Sequence, residues 1–124
     1  MKQRKFIIVK DWSGKNIEIR FGYVFYHRDL LTKQDNKDNI DCYGGGMWDI
    51  DPETETITLY GKSDDFGAPK KEDIEKALKN MDKHDLFMFG WLCERLYDEK
   101  YPEALYPALF DVEDMQRYKY VLKY

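Results

Sequence analysis

The chain opens on two short apolar runs separated by a turn. Lys5–Lys10 (KFIIVK) is β-branched and compact, which predicts a buried strand, and Ser13-Gly14-Lys15 is a turn signal. Asn16–Arg20 (NIEIR) alternates Ile17 and Ile19 with polar neighbours, as a half-buried hairpin partner does. The period changes at Phe25. Phe25, Leu30 and Leu31 share one helical face and Asp29 suits a first turn, so a helix is expected over Phe25–Leu31. It should fade into the polar stretch Thr32–Asn39, the one place where local disorder is expected.

Ile40–Tyr43, Gly44-Gly45-Gly46 and Met47–Ile50 read as one strand with a bare middle, which implies a close backbone approach or a bulge there. Asp51-Pro52-Glu53-Thr54 makes a turn, and Thr56–Tyr60 (TITLY) alternates as a strand. Gly61–Pro69 is a loop, and Lys70–Met81 is a helix with Ile74, Ala77, Leu78 and Met81 on one stripe. The order β-β-α-β-β-α predicts an α+β fold, a mixed or antiparallel sheet with helices packed against it. Leu86–Tyr97 reads as a buried helix, or as a strand followed by a helix. Pro102 and Pro107 punctuate the chain beyond it, and Arg117–Tyr124 is a last strand or a helical end.

Composition narrows the class. A chain of 124 residues suits one domain, and 43% hydrophobic with 16% aromatic residues argues for a packed core. A single domain over 1–124 is expected, with a core of residues 1–81 and the segment 82–124 packed on it. The net charge is −4, yet residues 1–40 hold nine Lys/Arg against five Asp/Glu, and the rest hold eleven against nineteen. An acidic balance speaks against nucleic acid as a partner, while the basic first third is compatible with a small anion. The apolar run Phe6–Val9 is too short for a signal peptide or a membrane span. Cys42 and Cys93 lack metal-ligand spacing, so a reduced cytoplasmic interior without metal or other cofactor is the expectation.

Two histidines are the first candidates for chemistry, since imidazole titrates near neutrality. His84 sits in the polar junction Asp82–Asp85 and reads as a surface residue or cap. His27 follows the aromatic run Tyr23–Tyr26 and opens the expected helix, where unbonded N–H groups favour an anion and a histidine serves as base or nucleophile toward a phosphoryl group. Taken alone, such a histidine is more often structural. Gly44-Gly45-Gly46 is a bend or a phosphate cradle. The loop Gly61–Gly67 (GKSDDFG) has a hydroxyl and a cation between glycines, and is a solvent-exposed connection or an anion nest.

Three blocks occur together. They are K-F-I-I-V at Lys5–Val9, Y-H-R-D-L at Tyr26–Leu30, and C-Y-G-G-G at Cys42–Gly46 leading to L-Y-G-K-S-D-D-F-G at Leu59–Gly67. In this order they resemble the Janus/Ocnus phosphohistidine phosphatase family, over roughly the first two-thirds of the chain. The resemblance implies a metal-independent α+β domain of the phosphohistidine phosphatase type that removes phosphate from phosphohistidine, with a divergent C-terminal extension. It implies His27 as catalytic residue and Lys5 facing the phosphate. It further implies a phosphate seat made by the N–H groups of Arg28 and Asp29 and by Ser63, and Tyr26, Gly45, Gly46, Lys62 and Asp65 are the further substrate-binding candidates beside it. The substrate would be a phosphorylated protein or a small phosphoramidate, and neither nucleic acid nor a membrane would be a partner.

The sequence departs from the family at three places. Met47 stands where an arginine usually follows the glycines, Arg28 replaces a small residue, and Asp64 and Asp65 replace uncharged loop residues. Two negative charges about 6 Å apart repel by roughly 0.7 kcal/mol in water and about 3 kcal/mol at an effective dielectric of 20. An inward Asp65 therefore works against phosphate, whereas outward acids or a pair with Lys62 would be harmless. The alternative to an enzyme is a non-catalytic anion-binding or protein-interaction module on the same scaffold. Tyr97, Tyr101, Tyr106, Tyr118, Tyr120 and Tyr124 either cover the sheet or give a protein partner an aromatic C-terminal surface.

Overall fold

The computed structural model describes residues 1–100 and 116–124. Its strands are β1 (Gln3–Asp11), β2 (Ile17–Val24), β3 (Ile40–Asp51), β4 (Thr56–Tyr60) and β5 (Lys119–Leu122). Its helices are α1 (Lys33–Lys37), α2 (Lys71–Lys79) and α3 (Lys83–Lys100), and a 3-10 turn spans His27–Leu30. The strands form one sheet in the order β2-β1-β3-β4-β5. The first four are antiparallel neighbours, and β5 joins β4 in parallel. The fold is α+β with a mixed sheet.

Alternation along β1 gives the sheet two different faces. Phe6 and Ile8 face the main core, where they meet Ile19, Trp48, Ile57 and Leu59 under Ile74 and Ala77 of α2 and Phe89 and Cys93 of α3. Phe89 stacks on Phe21 at 4.2 Å between centroids and meets Trp48 edge-on at 5.0 Å, an arrangement that suits the ring quadrupoles. Lys10 on β1 pairs with the buried Asp73 of α2 at 2.9 Å, which fixes that helix over the sheet. Ile7 and Val9, on the opposite face, are also buried. On this face the 3-10 turn packs on β1 and β2, α1 packs on β3, and the 61–69 loop bonds to Gly45 of β3 through Ser63 and Gly67.

The bare middle of the third strand contains both features expected of it. Pairing of β1 with β3 slips by one residue between Ile7 and Val9, so Tyr43 and Gly44 bulge opposite Ile8. Gly44 has φ +128°, and a Cβ there would lie 2.7 Å from the Pro69 backbone, which makes glycine obligatory.

Two helix expectations need correction. The helix over Phe25–Leu31 is a single 3-10 turn at His27–Leu30, because Tyr26 is extended and the chain is extended again at Leu31. The stretch Thr32–Asn39, expected to be irregular, contains α1. Thr32 and Asp35 cap each other there, with Asp35 N–H to Thr32 Oγ1 at 3.3 Å and Thr32 N–H to Asp35 Oδ2 at 2.6 Å. Arg20 of β2 then grips the same buried carboxylate twice, at 2.8 and 2.9 Å. The open alternatives at 86–97 and 117–124 resolve as one helix and a strand. Pro102, Pro107, Tyr101, Tyr106 and the side chain of Tyr97 lie outside the described residues.

Candidate functional site

The site forms on the sheet face opposite the main core. A 3-10 turn exposes no long helix dipole, so His27 is held by packing and by one directed bond instead. Its ring is buried against the glycine segment of β3, with Nε2 2.8 Å from the carbonyl oxygen of Gly46. A carbonyl only accepts, so Nε2 carries the proton and donates, which leaves Nδ1 as the basic nitrogen of the neutral ring. Gly45 makes this approach possible. A Cβ at that position would fall 2.8 Å from His27 Cδ2 and 2.6 Å from the Phe6 carbonyl oxygen.

Burial sets the charge state of His27. Loss of water pushes its pKa below the usual histidine value, although the Gly46 carbonyl favours the cation. The Lys5 ammonium adds to the downward push, while Asp65 and Asp64 oppose it. The ring is therefore neutral at neutral pH. Nδ1 bonds to none of the described residues, and since no fully buried polar side-chain atom among them lacks a partner, Nδ1 keeps some contact with solvent.

Lys5 and His27 are joined through the backbone, for Lys5 Nζ donates to the carbonyl oxygen of Phe25 at 2.6 Å. Nothing in the sequence singles out Phe25, since its role is that of a carbonyl. Arg28 projects beside His27. Its guanidinium lies 4.2 Å from the Tyr26 ring centroid, and Nη1 is 3.6 Å from Asp65 Oδ2. Asp65 thus pairs with Arg28, not with Lys62, which is exposed and forms no ion pair among the described residues.

The remaining candidates hold the frame. The Asp29 carboxylate accepts the Tyr26 N–H at 2.9 Å, and its own N–H donates to the Tyr26 carbonyl at 3.0 Å. That N–H is consumed inside the turn, whereas those of His27 and Arg28 have no partner in a 3-10 bonding pattern. Ser63 is buried, and its N–H donates to the Gly45 carbonyl at 2.9 Å. Its hydroxyl oxygen accepts the N–H groups of Asp65 at 3.2 Å and Phe66 at 3.1 Å, so the serine organises the loop from within. Gly45 N–H donates to Gly67, and Gly67 N–H to Ser63, which clamps the loop onto β3. Tyr124, whose aromatic ring suggests only a cover for the sheet or a partner surface, reaches the glycine segment. Its phenol stands where a Gly46 side chain would go, and burial pushes its pKa up.

Lys5, Gly45, Gly46 and Asp65 thus come together at the His27 imidazole, Arg28 joins them through Asp65, and Ser63 is bonded to Gly45, with Lys62 and the Asp29 N–H apart from the group. No group of three or more His, Cys, Asp or Glu side chains poised as metal ligands is present among the described residues. Nor is any helix among them long and apolar enough to cross a membrane. No curated protein matches the chain. The Janus/Ocnus family model matches residues 7–85, a span that includes His27, the glycine segment and the Ser63 loop. That span is more than half of the sequence, and the chain belongs to the Janus/Ocnus family.

Proposed function

We propose that the protein is a phosphohistidine phosphatase-like hydrolase that cleaves the P–N bond of a phosphohistidine or related phosphoramidate at His27. The observation that carries this reading is the bond from His27 Nε2 to the Gly46 carbonyl. It selects the tautomer with a lone pair on Nδ1, and burial keeps that nitrogen unprotonated. As a base, Nδ1 takes a proton from the water that attacks phosphorus, the departing nitrogen takes one from solvent as the P–N bond breaks, and Nδ1 then returns its own to solvent. As a nucleophile, Nδ1 itself bonds to phosphorus as the substrate's P–N bond breaks and its nitrogen leaves with a proton from solvent, and water then cleaves the His27 phosphoryl bond to release phosphate. Lys5 supplies fixed positive charge beside the reacting group, and Arg28 has the fork geometry that suits phosphoryl oxygens. A weak P–N bond asks for positioning and charge more than for strong acid catalysis. The free thiols of Cys42 and Cys93 fit a reducing, cytoplasmic setting.

The second reading is a non-catalytic anion-binding or protein-interaction module, and Asp65 at the mouth of the site favours it. Turnover of a phosphohistidine peptide by wild type and by His27→Ala separates the two. The enzyme reading expects a loss of at least about 100-fold in kcat on removing the imidazole. Equal rates would take His27 out of the mechanism, and no turnover by wild type would leave the binding module.

A further inference from the structure

The acids that set this chain apart lie at the site. Asp65 reaches Arg28, and the carboxylates of Asp65 and Asp64 are near enough to His27 to favour its cation. Lys5, Asp64 and Asp65 act on the imidazole, and Arg28 joins the group through Asp65. Lys5 and Arg28 are positive, Asp64 and Asp65 negative, and their sum is zero. A phosphoryl group brings negative charge into a neutral mouth, and the carboxylate of Asp65 must then lose its partner or repel the newcomer. The Arg28–Asp65 pair is loose at 3.6 Å, with the two side chains 58% and 42% exposed. An exposed pair of this kind is worth little, so exchanging its partners costs little.

We propose that Asp65 is a specificity-determining residue that accepts a lysine or arginine side chain beside the phosphorylated residue of the substrate, freeing Arg28 for the phosphoryl oxygens. The inference rests on His27 being a phosphoryl site and extends that reading to the residues that flank the phosphate. In the free protein each of the two side chains holds the other. In the complex the substrate supplies a cation for Asp65 and an anion for Arg28, so both charges stay paired. The backbone at Asp65 is fixed for this role, since its N–H donates to the buried Ser63 hydroxyl. Arg28 is steadied over the Tyr26 ring, from which the guanidinium turns without unpacking anything buried. A peptide with acidic flanks would face Asp65 and Asp64 unbalanced.

Binding of two peptides tests this without relying on turnover. Each carries a phosphoryltriazolylalanine in place of phosphohistidine, one flanked by lysines and the other by glutamates. Their dissociation constants are measured with wild type, Asp65→Asn and, as a remote charge control, Glu75→Gln on the exposed side of α2. Asparagine at position 65 keeps the backbone bond to Ser63, so the loop stays in place. The expected result is tighter binding of the lysine-flanked peptide to wild type. Asp65→Asn should shrink that preference about fivefold, as for one screened charge pair, and Glu75→Gln should leave it intact. A preference absent in wild type, one that survives Asp65→Asn, or failure of both peptides to bind overturns the proposal. Hydrolysis of phosphohistidine without flank preference would spare the phosphatase reading and sink this one. Flank-selective binding without hydrolysis would do the reverse.

Discussion

At His27 two influences oppose each other, and the outcome sets both reactivity and a pH dependence. Donation from Nε2 to the Gly46 carbonyl favours the cation, but burial, with help from Lys5, favours the neutral ring and prevails. The folded-state pKa is therefore below the ordinary value of about 6.5. As pH falls through 6.5 the unfolded chain takes up its proton first, so stability declines from there until the folded ring is protonated too. The linked prediction is read by NMR titration of the imidazole. The His27 midpoint should lie below that of the same histidine in an unfolded peptide, and Asp65→Asn should lower it further by removing a charge that favours the cation. Any rate that needs neutral His27 should then hold steady from neutral pH to below 6.5. A midpoint above the unfolded value would mean that the nearby carboxylates outweigh burial.

At the scale of elements, α1 shows what a sequence pattern leaves out. Five residues, KQDNK, with no apolar stripe give no 3.6-residue period. The Thr32–Asp35 cap is a local signal too short to stand alone, and what holds the helix is Arg20, fifteen residues earlier in sequence. Long-range pairs of this kind have no local signature. Apolar spacing overextends the 3-10 turn at His27 for a similar reason, because it does not record where the backbone becomes extended. β2 and β4 are readable because one buried face imposes alternation, and β1 because burial on both faces makes it a continuous apolar run. β5 is ambiguous because its four residues depend on a parallel partner far away in sequence. At the site, His27, Lys5 and the glycines are readable as residue types, but the Arg28–Asp65 pair needs the fold to bring two loops together.

The Arg20–Asp35 link also makes a measurable claim. Arg20 holds the Asp35 carboxyl well below the usual carboxylate range, so the link adds stability above that range and loses it as pH falls through the folded value. Asp35→Ala leaves a guanidinium that is only 21% exposed with a single, half-exposed carboxylate, Glu18 at 3.3 Å. We expect a loss of about 2–3 kcal/mol in urea unfolding, at the lower edge of values for breaking a buried pair. Amide exchange should speed up most over Lys33–Lys37.

Across the whole molecule, one sheet separates a core that stabilises from a face that is available for chemistry, and Trp48 ties the two together. Its indole is fully buried among Phe21 and Phe89, yet its N–H donates to the carbonyls of Lys5 at 3.1 Å and Gly22 at 3.3 Å. Those residues face each other across β1 and β2, and their other side is the site: Lys5 sends its amine to Phe25, and Gly22 leaves the space that Leu30 occupies. Core packing thus fixes the backbone from which the candidate site is built, while Lys5, Arg28 and Asp65 carry none of the core's burial. Trp48→Phe should then reduce stability by about 2–4 kcal/mol, through lost volume and two carbonyls deprived of a donor. Below the melting temperature, the His27 titration midpoint should stay within the error of wild type. Thermal unfolding and the same NMR titration measure both quantities on one sample. If the midpoint moved with stability, the indole would be tuning the imidazole through the strand, and the two faces would form one cooperative unit instead of a scaffold and a site.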